Sequence, residues 1–392
     1  MRERIEKIMK VIFMRDILLA ALTPAAAVAN TKNTMATVEG ILFECPGDGD
    51  GTCRITSYDM EKGLRTTIEA TILEEGSYII NAQNILQIVK SMPQGEITIE
   101  IDDRDRVKIT GGNSFFEINA IPGEKYPSLP LLAGERVYKI PQYIFRELIS
   151  KTAFAAAVNA QKAIFNGVFF KIEGGVMKCV GCDGNRLGLA ECDLEGDSPD
   201  ASFIVPAKML YEIQRMTHDT EDEIEIMLAR KHVIFMLDGF TYFSRLIDGE
   251  YLNYERIIPD KFERRAFINR AAITGAAERA SIVTEDKLGT STAKTYIKLE
   301  FEENELKISS ASTGGSVHEN IPVSMTGENL VIAFNCRFLL DALKAASEAE
   351  TVCFKMNGPL MGICIEAAEG GEEEKNPVRY TLFVMPLRMN SK

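Results

Sequence analysis

Tyr78-Ile-Ile-Asn-Ala-Gln-Asn-Ile-Leu-Gln-Ile-Val-Lys90 reads as a short apolar strand, a capping residue and an amphipathic helix. Two further stretches repeat that order. They are Phe203-Ile-Val-Pro-Ala-Lys-Met-Leu-Tyr-Glu-Ile-Gln-Arg215 and Val331-Ile-Ala-Phe-Asn-Cys-Arg-Phe-Leu-Leu-Asp-Ala-Leu343. Setting Asn81 against Pro206 and Phe334 gives offsets of 125 and 128 residues. Solenoid repeats have periods of about 20–50 residues, so this is a domain-sized unit present three times.

Features on either side recur at the same interval. Period-two strands at Ile97–Ile101, Val107–Thr110 and Phe115–Ile121 have counterparts at Ile224–Met227, His232–Met236 and Thr241–Ile247. The third set runs from Val352–Lys355 through Met361–Glu366 to Tyr380–Pro386. Each unit opens on an Ala-rich helical pattern, predicted at Met14–Ala29, Pro141–Val158 and Arg264–Ala280, with Pro24 expected to bend or end the first one early. The units are placed at residues 9–131, 138–260 and 263–392, with 1–8 as an extension. The fold class is therefore α+β: three repeated domains, each with antiparallel strands and two helices. The repeats also settle a trap at the N-terminus. Basic residues before Ile17–Leu22, and the Ala27-Val-Ala29 that follows, imitate a secretory signal, but the equivalent helices lie mid-chain where no signal could act.

The 392 residues, 46% hydrophobic and 26% charged, suit a globular chain of two to four domains. No segment reaches the ~18 apolar residues of a membrane span, so no membrane association is expected. Eight cysteines are too sparse for a disulfide scaffold and point to reduced thiols in the cytoplasm. Cys179 and Cys182 have metal-ligand spacing with Cys192 nearby, but no second pair or suitable histidine completes a zinc site, so two half-buried strand residues fit better and no metal or other cofactor is expected. His218, His232 and His318 are scattered.

Net charge is −13, which argues against a general nucleic-acid coat. The six predicted helices nevertheless carry twelve bases and five acids, +7, leaving −20 for the remainder. That segregation gives one face suited to a polyanion, although basic residues merely solvating helix faces would give the same sum.

Four motifs in order, on this threefold repeat, resemble the bacterial sliding clamp family, the beta subunit of DNA polymerase III. They are Cys182-Asp-Gly-Asn-Arg-Leu187, Arg245–Gly249 with Tyr254–Pro259, Phe334-Asn335 and Met385-Pro-Leu-Arg388. The resemblance covers Met9 to Met389. It implies a non-enzymatic processivity factor: a head-to-tail homodimer closed into a ring, helices lining the hole, strands outside. The resemblance further implies that double-stranded DNA is encircled without sequence reading, and that a replicative polymerase subunit, a clamp loader and other proteins bearing a clamp-binding motif dock in a peptide groove.

By position, the resemblance implies a groove formed by Phe165, Cys182, Gly184, Asn185, Leu187, Tyr251, Leu252, Arg256 and Ile257, completed by Asn335, Phe338, Leu360, Gly362, Phe383, Met385, Pro386, Leu387 and Arg388. Leu187, Ile257 and Phe383 fit core packing equally well. The helix bases Arg15, Lys90, Lys151, Lys208, Arg215, Arg265, Arg270, Arg337 and Lys344, with Lys32, Asn159 and Lys162 on loops, are the implied DNA contacts. The implied subunit contact sets Phe116 and Ile118 against Ile282 and Val283, all apolar. Lys294, Leu252 and Ala163-Ile164 depart from the common pattern, and Asn390–Lys392 extends past the usual end.

Two other classes remain readable. A three-domain peptide scaffold that does not encircle DNA would have no reason to concentrate bases on helices. An enzyme using Cys182-Asp183 would need a base or helix N-terminus beside the thiol, and no phosphate loop, dinucleotide fingerprint or metal motif is present.

Overall fold

The computed structural model describes residues 7–29, 35–47, 49–130, 132–134, 136–196, 198–284, 296–312, 315–368 and 377–389. Lys32, Lys294, most of the 1–8 extension and the 390–392 tail lie outside the described residues. The chain forms two compact units, residues 1–142 with 208–246 and residues 143–207 with 247–392.

The six helices described are α1 (Arg15–Val28), α2 (Ala82–Ser91), α3 (Gln142–Thr152), α4 (Ala207–Met216), α5 (Arg270–Thr284) and α6 (Cys336–Ala345). Asn81 caps α2 by accepting the Asn84 N–H at 3.0 Å, and Asn335 caps α6 by accepting the N–H groups of Arg337 and Phe338. The cap positions Asn81, Pro206 and Asn335 fix the second offset at 129 rather than 128 residues, because Asn335 and not Phe334 stands before the helix.

Two helix expectations are corrected. Pro24 does not end α1, which continues to Val28. Proline forgoes one backbone bond and crowds the preceding turn, but Leu18, Ala21, Leu22, Ala25, Ala26 and Val28 are buried around it, and that packing holds the helix through. The third opening helix starts six residues later than the pattern suggested: Arg264–Asn269 is a strand, paired with Thr351–Met356, and Asn269 accepts the Ala272 N–H at 2.9 Å to start α5. Arg264 and Arg265 therefore leave the helical sum. The observed helices carry ten bases and five acids, net +5.

All strand pairs are antiparallel, and the central repeat divides between the units. Its strands Arg136–Pro141, Glu223–Leu228, His232–Leu237 and Phe240–Arg245 form one end of a thirteen-stranded sheet, where Phe240–Arg245 pairs with Lys62–Glu69 of the first repeat. Its other strands, Ala201–Pro206, Gly167–Glu173, Val176–Cys182 and Arg186–Asp193, belong to a nine-stranded sheet of the second unit. There Arg186–Asp193 pairs with the last strand of the chain, Arg379–Val384, with Leu187 opposite Phe383. A four-stranded sheet in the second unit completes the third repeat. The core of that unit gathers Phe301, Phe334, Leu339, Leu343 and Phe354 between sheets and helices α5 and α6.

One device recurs in every repeat. The first residue of each opening helix is tied to the chain beyond the second helix. Backbone N–H groups of Arg15, Gln142 and Arg270 donate to the carbonyls of Gly95, Asp222 and Glu350 at 2.8–2.9 Å. The same three side chains reinforce the tie. Arg15 donates to Val89 and Lys90 carbonyls at the end of α2, Arg270 donates to the Ala349 carbonyl, and Gln142 accepts the His218 N–H at 2.9 Å while donating to Asp238. Arginine at a helix C-terminus satisfies orphan carbonyls and complements the dipole. Gln142 is fully buried, so Gln142→Ala leaves the His218 N–H without its acceptor and should lower stability by about 1–3 kcal/mol in urea unfolding, with the native circular dichroism spectrum retained.

Candidate functional site

The site forms where the hairpin of Val176–Cys182 and Arg186–Asp193 meets the last strand of the chain, inside the second unit. Gly184 sits at φ +90°, the left-handed region that glycine enters without a Cβ penalty, and lets the hairpin turn tightly. Asp183 locks that turn: its carboxylate accepts the N–H groups of Asn185 and Arg186 and pairs with the Arg186 guanidinium at 3.0 Å. Arg186 also pairs with Asp341 on α6 and lies over the rings of Phe338 and Phe154, at 4.6 and 5.6 Å. One guanidinium thereby fixes the hairpin to α6.

Beneath the turn lies a cluster of Val180, Cys182, Leu187, Tyr254, Cys364 and Phe383, with Phe165, Phe169, Tyr251, Leu252 and Ile257 packed on it half-buried. Tyr251 stacks on Phe169 at 4.8 Å and donates its hydroxyl to the Val180 carbonyl at 3.1 Å. Gly362 faces the Phe383 ring so closely that a Cβ there would lie 2.0 Å from it. After that strand the chain is fastened by main-chain bonds: the Met385 N–H donates to Asn185 and the Leu387 N–H to Ala333, at 2.8 and 2.7 Å. The tail therefore runs along a fixed course, Pro386 and Leu387 half-buried, with Met385 38% exposed and Arg388 exposed. Leu360, 56% exposed, and the exposed Gly184, Asn185 and Arg256 add to the accessible surface, while Asn335 and Phe338 are half-buried.

The result separates two classes that the sequence left together. Leu187, Phe383, Cys182 and Gly362 are floor, buried without any ligand. Met385, Leu360 and Arg388 are accessible. Arg186, Asp183 and Phe169, absent from the sequence-derived set, build the frame; the signal that could have found Arg186 is its place inside the Cys182–Leu187 motif. The surroundings of Cys182 do not activate its thiol. Burial pushes its thiol above the usual range, its Sγ accepts the Gly184 N–H at 3.4 Å, and Asp183 is committed to the turn and to Arg186. Cys179 is likewise a buried strand residue, and among the described residues no group of three or more His, Cys, Asp or Glu gathers as for a metal.

The basic residues also divide. Lys90, Lys208, Arg215, Arg337 and Lys344 are exposed on helices, and Asn159 and Lys162 on a loop; Arg215 pairs with Glu212 and Lys344 with Glu278. Arg265 is exposed but on a strand, Arg15 is engaged with carbonyls at the end of α2, and Arg270 with the Ala349 carbonyl beyond α6. Lys151 is the clear correction. Its side chain is 0% exposed, donating to the Ala345 carbonyl at 2.6 Å, paired with Glu348 and lying 4.7 Å from the Tyr380 ring, so it cannot reach a phosphate. Burial pulls its pKa below that of an ordinary lysine, against the raising effect of Glu348.

At the implied subunit contact, Phe116 is exposed and Ile118 half-buried on the strand Ser114–Pro122; Ile282 is 74% exposed and Val283 half-buried on α5. Phe115, next to Phe116 in the same strand, is also exposed, with Lys108 over its ring at 5.3 Å, and was not foreseen.

Profiles of the N-terminal, central and C-terminal domains of the DNA polymerase III beta subunit match residues 9–130, 139–253 and 255–377. The chain belongs to that family. Among curated relatives, the beta sliding clamp of Halalkalibacterium halodurans is 26% identical over 359 residues, covering 88% of this chain and 92% of that protein. The Staphylococcus epidermidis beta sliding clamp is 25% identical over 346 residues, covering 86% and 90%. Among solved structures, a putative DNA polymerase III beta subunit from Eubacterium rectale superposes with a TM-score of 0.87 at 25% identity, over 97% of this chain and all of that one. A Pseudomonas aeruginosa sliding clamp bound to griselimycin gives 0.85 at 26% identity, over 97% and 100%.

The division of floor from accessible residues in this beta-subunit chain is directly measurable. Leu187→Ala, at a position 1% exposed, should lower unfolding stability by about 2–5 kcal/mol. Met385→Ala, already partly in solvent, should leave the denaturant midpoint close to that of the parent protein.

Proposed function

We propose that this chain is a non-catalytic polymerase processivity factor: two copies close head to tail around duplex DNA and tether a polymerase subunit, a loader and other partners through the groove. The observation that carries the reading is the three beta-subunit domains in tandem, together with a preformed apolar floor bordered by the tethered Met385–Arg388 tail. An extended peptide suits such a surface: apolar anchors meet Met385 and Leu360, and Arg388 offers a charge beside them. Methionine adapts to different anchors, which suits a site shared by several partners. The repeat boundaries at 9–131, 138–260 and 263–392 belong to the same proposal, as does the cytoplasm, where the free, buried cysteines would stay reduced.

Two unpaired edges support closure by a second copy. Residues 114–119 bond to Arg106–Gly111 on one side, whereas Tyr78–Ile80 on the other side reaches only Ala120–Pro122. The strand Gly315–Pro322 is the outer strand of the four-stranded sheet. Exposed Phe115 and Phe116 on the first edge, and exposed Ile282 in the unit that holds the second, are what a partner copy would cover. The exposed helix bases Lys90, Lys208, Arg215, Arg337 and Lys344 would then meet phosphates without reading bases. The scaffold alternative has no use for them.

Encirclement is tested by topology. Loaded protein should remain on circular DNA through gel filtration in high salt and be lost after a single restriction cut. An open-sided binder loses affinity by ~0.9 log units per neutralised phosphate per log unit of salt, whatever the topology of the DNA. Equal retention on circular and cut DNA would favour the scaffold.

The groove has its own test. With a polymerase-derived clamp-binding peptide in calorimetry, Met385→Ala should weaken binding by about 1.5–3 kcal/mol, the value of one covered apolar side chain. Unchanged affinity would move the docking surface elsewhere.

A further inference from the structure

Cys45 and Cys53 face each other across the antiparallel strands Gly40–Cys45 and Thr52–Tyr58. The register runs Leu42 to Thr56, Phe43 to Ile55 and Glu44 to Arg54, and the next step sets residue 45 opposite residue 53. Both thiols are free and buried, with the sulfurs 2.8 Å apart. Directly opposed residues of an antiparallel pair hold their Cα atoms about 4.5–5.5 Å apart, inside the 4.4–6.8 Å that a disulfide spans. The backbone is thus already in bonding position. No other cysteine in a described strand has a cysteine as its cross-strand partner: Cys179 faces Ala190, Cys182 faces Leu187, Cys192 faces Met177, Cys353 faces Glu366 and Cys364 faces Lys355. The pair closes the loop Pro46-Gly-Asp-Gly-Asp-Gly-Thr52, whose described residues are mostly exposed. An open cavity of about 630 Å³ is lined by Cys45, Pro46, Thr52 and Arg54, and gives a small reagent a way to the Cys45 side.

We propose that Cys45 and Cys53 are a modification site, a dithiol that a small-molecule disulfide converts to a cross-strand disulfide at the mouth of this hairpin. The Cys45 thiol loses its proton, attacks one sulfur of the reagent, and expels one reagent thiolate to leave a mixed disulfide. The Cys53 thiol, deprotonated in turn, attacks the Cys45 sulfur and expels the second thiolate. Two protein thiols are oxidised, and one reagent disulfide is reduced to two thiols that take up the two protons. Cys45 lines the cavity and Cys53 does not, so the first attack belongs to Cys45.

The test is mass mapping of the folded protein after incubation with oxidised glutathione. Tryptic peptide 33–54 contains Cys45 and Cys53 and no other cysteine. It should lose two hydrogens and resist alkylation, and dithiothreitol should reverse both changes while the remaining cysteines stay reduced. Cys53→Ser, checked for native circular dichroism, should stop at one glutathione adduct on Cys45. Two alkylatable cysteines in the wild-type peptide after prolonged incubation would overturn the proposal. So would a glutathione adduct that persists in the wild-type protein without ring closure.

Discussion

Every strand in a sheet exposes backbone donors and acceptors on both sides, and an unpaired edge invites association with other chains. In this protein that constraint decides how the repeats join. The central repeat does not close on itself. Its Phe240–Arg245 strand continues into the first repeat through Lys62–Glu69, and its Arg186–Asp193 strand continues into the third through Arg379–Val384. The compact units therefore cut through the middle repeat instead of following the sequence repeats. Two of the edges left over among the described residues, at 114–119 and Gly315–Pro322, carry or neighbour the exposed apolar residues proposed for contact with a second copy.

The proposed groove depends on the same pairing. Leu187 faces Phe383 only because the last strand of the chain adds to the central repeat's sheet, and Gly362 makes room for that ring. Asp183, Arg186, Phe338 and Asp341 then tie the hairpin turn to α6, so the tail beyond Val384 has rigid neighbours on both sides. A short peptide binding here would meet a surface already formed, with less ordering entropy to lose on docking.

Charge shows how far position alone can mislead. Twelve bases assigned to predicted helices become ten on observed ones, and those ten have different uses. Lys151 is sealed inside the second unit against Glu348 and Tyr380, Arg15 bonds the end of α2, and Arg270 bonds the chain just beyond α6. The exposed remainder, such as Lys90, Lys208 and Arg337, is what can meet a polyanion. Burial, not residue type, separates the two uses.

The sequence by itself determined the threefold repeat, because strand and helix periodicities are local and survive in each copy, even where Pro206 stands in place of the Asn81 and Asn335 caps. It also determined which motifs gather at the groove, since Cys182–Leu187, Tyr254–Pro259 and Met385–Arg388 come together there. It could not separate floor from accessible residues: Leu187 and Met385 are both apolar, and only the packing of Phe383, Cys364 and Tyr254 around Leu187 makes it core. Nor could it foresee that α1 runs through Pro24, that Arg264–Asn269 is a strand, or that Arg186 anchors the site. Those outcomes depend on contacts between residues far apart in the chain, whose energies outweigh local preference once the sheets are paired.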